Sequence, residues 1–381
     1  MSLLAAPTNL PTPTPGTRFR EDGPTPLSAT LQDLATPAQA TRFRLVALTR
    51  VKFDGDIIEE FVRHTLRFVD HLYVVDNVSP DSTREILDAL VAEGLPLTVW
   101  EDDIHEGRDG IMTDLAHRVL GRDRADYCVI LDADEFLRVE SRGAFEAALA
   151  RLPAGAHATI PWVTYIPTPN DPDVAQMLGR IRYRQCAEAL SFSKVVLARA
   201  FADHPSAEVT VGAHSVEYPD AVCSVLPLEG VELAHFPVRS IEQLQGKALL
   251  GWSAFLLTGR AGDTMLGYQW RRLYEALQKN HYWGATDLYH FALTYLDADQ
   301  SGPELALDPM PAVHRKYVRA VPDVLTISIA YTRLLADYCV KLKSERAQLE
   351  SELAVERRVG AFTLPIEGSY AFEELTAAYA S

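Results

Sequence analysis

Cysteine is scarce in this chain of 381 residues: Cys128, Cys186, Cys223 and Cys339 stand far apart with no Cys-x-x-Cys pair. Free thiols in a reducing, cytoplasmic setting are therefore expected. Long apolar runs are missing too, since no uninterrupted stretch approaches the roughly 20 residues that a membrane-spanning helix needs. The start Met1-Ser2-Leu3-Leu4-Ala5-Ala6 has no basic region and meets Pro7 at once, which makes a poor signal peptide. The expectation is a soluble protein whose only membrane contact would be peripheral. Positive charge is short: 36 Lys and Arg against 52 Asp and Glu leave a net charge of −16. Long contacts with phosphate backbones or anionic lipid need clustered cations, so nucleic acid is not an expected partner.

What is present is an apolar fraction of 48%, enough to bury a large core. Residues 1–41 are rich in Pro, Thr and Ala and read as a disordered arm that cannot build a packed interior. Ordered pattern begins at residue 42. A short apolar run over 42–49 predicts a buried strand, and Ile57, Ile58, Phe61, Val62, Leu66 and Val69 then recur at helical spacing behind a cap at Asp54 or Asp56. The unit repeats with a strand at 71–76, a helix opened by Ser82 and Glu85 as a capping box, a strand at 95–100, a helix at 109–121 and an apolar strand at 127–131. Such alternation implies a mostly parallel α/β sheet covered by helices on both faces. After Val139 the alternation blurs. A short helix at 143–152 and strands at 158–166 and 192–198 suit a mixed second half, followed by helices at 241–257 and 325–358. The catalytic domain is placed at 42–260, with a mainly helical region over 261–381.

In open parallel sheets ligands sit outside the carboxyl ends of the strands. Four such ends are polar: Thr49-Arg50, Asp76-Asn77, Glu101-Asp102-Asp103 and Asp132-Ala133-Asp134-Glu135. Residues i and i+2 leaving an apolar strand can aim two carboxylates at one point, and hard oxygen ligands suit Mn²⁺ or Mg²⁺. Gly107-Arg108-Asp109-Gly110 opens the third helix, where backbone amides and Arg108 could hold a phosphate.

The stretches Asp76-Asn77-Val78-Ser79-Pro80-Asp81-Ser82-Thr83 and Asp132-Ala133-Asp134-Glu135-Phe136 resemble, in that order, motifs of the family-two and family-ninety-two class of A-type-fold glycosyltransferases. The resemblance covers about residues 43 to 255. It implies metal-dependent transfer of a sugar from a nucleoside-diphosphate sugar, a UDP-sugar first, to a saccharide or other hydroxyl acceptor, with inversion, in surface-glycan or polysaccharide synthesis. It implies Thr49, Arg50 and Asp76 as nucleobase and ribose contacts, Asp132 as a ribose and metal contact, and Asp134 as the principal metal ligand. Lys52-Phe53-Asp54-Gly55-Asp56 replaces the Asn-Glu pair usual early in the first helix. Downstream, Leu233-Ala234-His235-Phe236-Pro237-Val238-Arg239-Ser240 is similar to another segment of the class. A neutral imidazole at His235 can complete a metal's coordination, and Arg239 with Lys247 can neutralise a departing diphosphate.

An inverting displacement needs a group that takes the acceptor's proton. His214, Glu188, Asp203 and Glu217 are candidates, His214 first. Trp162, Tyr165 and Trp252 could stack on an acceptor sugar, or be core. A haloacid-dehalogenase phosphatase is disfavoured, because its Asp-x-Asp normally follows the first strand; a nucleotidyltransferase would show a Gly-rich basic loop after the first strand. A non-catalytic sugar-binding protein of the same fold remains the alternative of another class. Ile327, Ile329, Ala330, Leu334, Leu335 and Val340 before a charged run at 341–358 suggest a protruding helix able to pair with a second copy.

Overall fold

The computed structural model describes residues 18–20, 42–102, 110–188, 190–257, 268–280, 282–295, 304–317 and 324–362. A short strand, β1 (Arg18–Arg20), precedes the expected alternation of β2 (Leu45–Val51), α1 (Ile58–Thr65), β3 (His71–Asp76), α2 (Thr83–Ala92), β4 (Leu97–Glu101), α3 (Ile111–His117) and β5 (Tyr127–Ile130). Next come β6 (Glu135–Arg138), α4 (Arg142–Leu149), β7 (His157–Ile166), the one-turn α5 (Met177–Arg180), β8 (Tyr183–Gln185) and β9 (Ser193–Ala198). Three short strands follow, β10 (Glu208–Val209), β11 (Val216–Glu217) and β12 (Val225–Pro227), and then β13 (Glu232–His235). The chain ends with α6 (Ile241–Leu257), α7 (Tyr268–Lys279), α8 (Ala285–Leu293), β14 (Glu304–Leu307) and α9 (Val324–Phe362).

The main sheet runs β1-β14-β8-β7-β9-β5-β2-β3-β4. Its β5-β2-β3-β4 part is parallel, and β9 lies antiparallel between β5 and β7, so the expected α/β sheet is parallel on one side and mixed on the other. Side chains alternate across it as a two-residue period demands. Leu45 and Ala47 of β2 join a core with Ile58, Phe61, Ile86 and Leu87 of α1 and α2. Val46 and Leu48 face the opposite way, into a core with Ala116 of α3 and Val195 of β9. Each such side chain removed from water contributes roughly 1.5–3 kcal/mol, which is why these strands read as unbroken apolar runs.

The helix starts differ from expectation. Asp54 accepts from the N–H groups of Ile57 and Ile58 through its backbone carbonyl, at 3.0 and 2.8 Å, and neither Asp54 nor Asp56 caps α1 with its side chain. Ser82 likewise makes no side-chain cap to α2. That helix stops where Gly94 takes a φ of 82°, a left-handed conformation that favours glycine. Beyond α3 a π-helical turn, Arg118–Arg122, carries the chain toward β5.

The chain divides between Tyr331 and Thr332 into two units, so α7, α8 and β14 belong with the sheet. In the second unit Leu342, Leu349, Leu353 and Val355 are exposed, and Arg346 pairs with Glu350 one turn on.

Two buried histidines report on the fold. His64 Nε2 lies 2.8 Å from the Leu137 carbonyl, which only accepts, so that nitrogen carries the proton. His157 Nδ1 accepts from the Ala198 N–H at 3.0 Å, leaving Nε2 to meet the Tyr218 hydroxyl at 2.7 Å. Burial first of all lowers both, to about 4. A folded value below the unfolded one means that stability is lost as pH falls from 6.5 toward 4, on the order of 3 kcal/mol for each ring. Asp81, raised by burial to about 6, titrates in the opposite sense. The check is therefore a difference: denaturant melts between pH 7 and 4.5 should show a shallower pH dependence in His157→Gln than in the wild type.

Candidate functional site

Asp132 and Asp134 stand where β5 ends. The Leu131 N–H still reaches the Leu48 carbonyl at 3.0 Å, the Glu135 N–H turns back to the Asp132 carbonyl at 3.0 Å, and the chain reverses into β6. β6 pairs antiparallel with β13, setting Glu135 opposite His235, and β13 runs parallel to β7 with His235 opposite Thr164. The Phe236 N–H donates to the Asp134 carbonyl at 2.8 Å. One turn and two strand pairings thus bring Asp134, Glu135 and His235 together from segments a hundred residues apart.

Asp134 is 7% exposed and faces a ring of cations. Lys247 Nζ and Arg239 Nη1 each lie 3.6 Å from its Oδ2. Burial alone would raise this carboxyl, but the cations around it, Lys247 first, then Arg239 and Lys194, outweigh it and hold it at about 2. Asp134 is therefore an ionised, nearly enclosed carboxylate at a strand end. Asp132 differs, since its side chain is 57% exposed and takes Lys194 Nζ at 2.7 Å. Lys194, itself 1% exposed, also donates to the Gly212 carbonyl at 2.8 Å and stands 3.6 Å from Glu135. Burial pulls its pKa down, yet Asp132 and Glu135 overcome that and keep it charged. Glu135 is fully buried, and burial aided by Asp132 and Asp134 pushes it well above the usual carboxylate range.

Arg239 has no exposure. Its Nε and Nη2 donate to Asp56 at 2.7 and 2.9 Å, and Nη2 reaches Asp54 at 3.3 Å. This guanidinium is enclosed among carboxylates and acts as a strut, whereas Lys247, 3.5 Å from Asp54, keeps 17% side-chain exposure. Gly246 explains how Lys247 gets there. A Cβ at Gly246 would sit 2.2 Å from the Phe53 ring, so only glycine lets α6 lie this close to the loop over 52–56. Phe53 itself has a φ of 62°, unusual for a bulky residue. Gly246→Ala should therefore displace Phe53 and lower stability by about 1–3 kcal/mol; a melting temperature equal to the wild type's would reject this packing account.

Next to the carboxylates lies an aromatic cluster. Trp162 stacks on His235 with ring centres 4.2 Å apart and meets His214 edge-on at 5.4 Å, while its indole N–H is buried without a partner. His214 Nδ1 lies 2.8 Å from the Ser193 carbonyl and must donate, which leaves Nε2 with a lone pair. Burial lowers the pKa of His214, favouring the neutral ring. Glu188 is placed otherwise: Thr164 donates to both of its oxygens, from N–H and from hydroxyl. It clasps β7 through both of these bonds.

The ends of β2, β3 and β4 form a second polar group. Arg50 Nη2 pairs with Asp102 Oδ2 at 3.0 Å, Lys52 Nζ donates to the Asn77 side chain at 3.1 Å, and Asn77 donates to the Asp102 carbonyl at 2.9 Å. Asp76, 1% exposed, accepts from the Ser79 N–H at 3.1 Å, the Asx-turn geometry open to it from sequence. Thr49 is buried, and its hydroxyl has no partner. Arg108 lies outside the described residues. The sequence offers Asp54 and Asp56 as helix caps and Lys194, which opens the apolar run Val195-Val196-Leu197-Ala198, as a strand-start cation able to face the site; the fold brings all three to it.

Among the described residues no three His, Cys, Asp or Glu side chains group around one ion position. The donors present still fit a hard divalent cation. His235 is 4% exposed with Nδ1 buried and unpartnered, burial lowers it to about 4 so that the ring is neutral, and Asp134 beside it is ionised. These two would hold the ion, with phosphate oxygens and water filling the remaining positions.

No family model matches the sequence, and no curated protein resembles it significantly. Solved structures that align with part of the chain include the mannosyltransferase PcManGT from Pyrobaculum calidifontis, in complex with GDP-Man and Mn²⁺, at 13% identity over 66% of this chain and 80% of that one, TM-score 0.31. TarS residues 1–349 from S. aureus, in complex with UDP, is 14% identical over 66% and 81%, TM-score 0.31. Glucosyl-3-phosphoglycerate synthase from Mycobacterium tuberculosis, in complex with Mn²⁺, UDP and glucosyl-3-phosphoglycerate, is 16% identical over 57% and 80%, TM-score 0.27. Likeness of this degree does not assign an activity.

Proposed function

We propose that this chain is a glycosyltransferase that uses a nucleoside-diphosphate sugar, a UDP-sugar first, and a divalent cation held by Asp134 and His235. The observation that carries the reading is the ionised, nearly enclosed carboxylate of Asp134 at the carboxyl end of β5, with Lys247 beside it. A diphosphate docking there would gain a lysine with residual exposure, and the metal would supply charge neutralisation on the departing diphosphate. Lys247 contributes to the same neutralisation, and Arg239 fixes the loop bearing Asp54 and Asp56. The polar ends of β2, β3 and β4 receive the nucleoside. His214 Nε2, held by the Ser193 contact, accepts the acceptor hydroxyl's proton, which is the role an inverting single displacement requires.

Calorimetric titration of UDP, GDP and ADP, with Mn²⁺ and with EDTA, tests the donor site, and release of nucleoside diphosphate from a panel of nucleotide sugars tests turnover. Mn²⁺-dependent binding of one diphosphate with turnover of its sugar ester is expected. Absence of binding for all three sinks the reading. As a further expectation, the rate falls in acid as His214 gains a proton, with the limb below the ordinary imidazole value of 6.5 because burial lowers it. A rate in His214→Gln equal to wild type at every pH would remove the base assignment.

A further inference from the structure

Two arginines that the site around Asp134 does not use stand just past the carboxyl end of β7. Ile166, the last residue of that strand, lies opposite Tyr183 of β8, so Arg182, one residue before Tyr183, sits beyond the strand end. At about 3.4 Å per residue it lies about 10 Å further along the strand direction than Thr164, which pairs with His235. Arg180 closes α5. Its Nη2 donates to the Arg239 carbonyl at 3.0 Å, which ties it to the residue whose side chain holds Asp54 and Asp56. The start of α5 is pinned as well, since the buried Glu60 accepts from the Met177 and Leu178 N–H groups at 2.9 and 3.0 Å.

Both side chains are half-buried, and the Nε of each is buried without a partner. Among the described residues Arg182 makes no side-chain hydrogen bond or ion pair, and Arg180 makes only the bond to Arg239. Arg184, two positions on, is by contrast taken up by Asp308 and the Gln185 carbonyl. The carboxylate that both arginines act on is Asp171, which accepts from the Thr168 N–H and hydroxyl at 2.8 and 2.9 Å and forms an ion pair with neither. Two guanidiniums against one carboxylate leave a local surplus of positive charge in a chain of net charge −16. Half-buried donors without acceptors cost free energy, and a neutral hydroxyl compound would leave the charge unanswered. The planar fork of a guanidinium matches the oxygens of a carboxylate or a phosphate. We propose that Arg180 and Arg182 bind the phosphate or carboxylate group of an anionic acceptor, with its hydroxyl end turned toward His235. That the anion belongs to the acceptor rests on the glycosyltransferase reading; that the two arginines bind an anion does not.

The test is calorimetric titration of the full chain, Arg180→Met, Arg182→Met and Asp134→Asn with glycerol 3-phosphate, D-glycerate and glycerol, each with and without UDP and Mn²⁺. Expected is saturable binding of at least one anion and none of glycerol, weakened tenfold or more in both arginine variants, not weakened in Asp134→Asn, and retained when UDP and Mn²⁺ are present. Which of the two anions binds separates phosphate from carboxylate. Arg182→Met should melt no lower than the wild type, because its side chain has no partner in the fold to lose; a lower melting temperature would assign Arg182 to the fold instead. The proposal is overturned if neither anion binds, if glycerol binds as well as they do, or if affinity in Arg182→Met equals the wild type's. It is also overturned if UDP with Mn²⁺ displaces the anion, which would give the arginines to the donor's diphosphate. Failure of UDP itself to bind counts against the donor reading alone, and the titrations without nucleotide then decide for or against the anion site.

Discussion

Arg239→Met should be the most destabilising single substitution at this site, costing on the order of 3–5 kcal/mol. The wild-type guanidinium is fully buried and serves Asp56 through two nitrogens, Asp54 through one and the Phe236 carbonyl at 3.3 Å, with Asp134 at 3.6 Å. Methionine fills similar space but leaves these carboxylates with Lys247 alone, and Lys247 reaches Asp54 and Asp134 but has no contact of this kind with Asp56. Asp54 is already raised, first by burial, even with Lys247 and Arg239 opposing. Without Arg239 it should rise further and bind a proton in the folded state. Protonation removes the buried charge, so the destabilisation should shrink as pH falls from 8 to 5. Arg239→Lys keeps the charge but loses the two-pronged contact with Asp56, and should fall between the two. Denaturant melts at pH 8 and 5 decide: a loss under about 1 kcal/mol, equal at both pH values, would show that the carboxylates do not depend on Arg239.

The part of the fold legible in sequence is the part whose signals are local. β2, β3 and β5 are covered on both faces, so they read as apolar runs, and the helices between them carry their own periodicity. Asp132 and Asp134 were visible because a strand end next to an apolar run is a local feature, and His235 because it leaves an apolar segment in the same way. What escaped depends on partners distant in sequence. Asp54 and Asp56 look like caps within their own loop, yet their side chains turn to Arg239, 183 positions from Asp56. β6 is only four residues long and gains strand character from β13, which no local pattern announces. Lys194 lies in a strand whose apolar residues are all buried, and its place makes sense only once Asp132 and Glu135 are set beside it. Glu188 offers a carboxylate of the right type in sequence, and only the fold shows that Thr164 donates to both of its oxygens.

Asp134→Asn separates two accounts of the site by the sign of its effect. Were Asp134 only a counter-ion for Lys247 and Arg239, removing its charge would leave the surrounding potential more positive, and nucleoside diphosphate should bind more tightly, with or without metal. As the carboxylate that holds the cation, its loss should weaken Mn²⁺-dependent binding of nucleoside diphosphate by on the order of tenfold or more and make affinity insensitive to EDTA. Folding should survive, because Arg239 retains Asp54 and Asp56 and Lys247 retains Asp54, so no cation is left wholly unpaired by the change. Asn keeps the volume, and the backbone carbonyl that accepts from Phe236 is untouched. His235→Ala serves as the companion, removing the neutral imidazole while leaving every charge in place. A shared loss of Mn²⁺ response in both variants, with melting temperatures near wild type, is the expected result. Tighter diphosphate binding in Asp134→Asn together with an unaltered Mn²⁺ response in His235→Ala would overturn the metal assignment and leave Lys247 as the diphosphate's anchor.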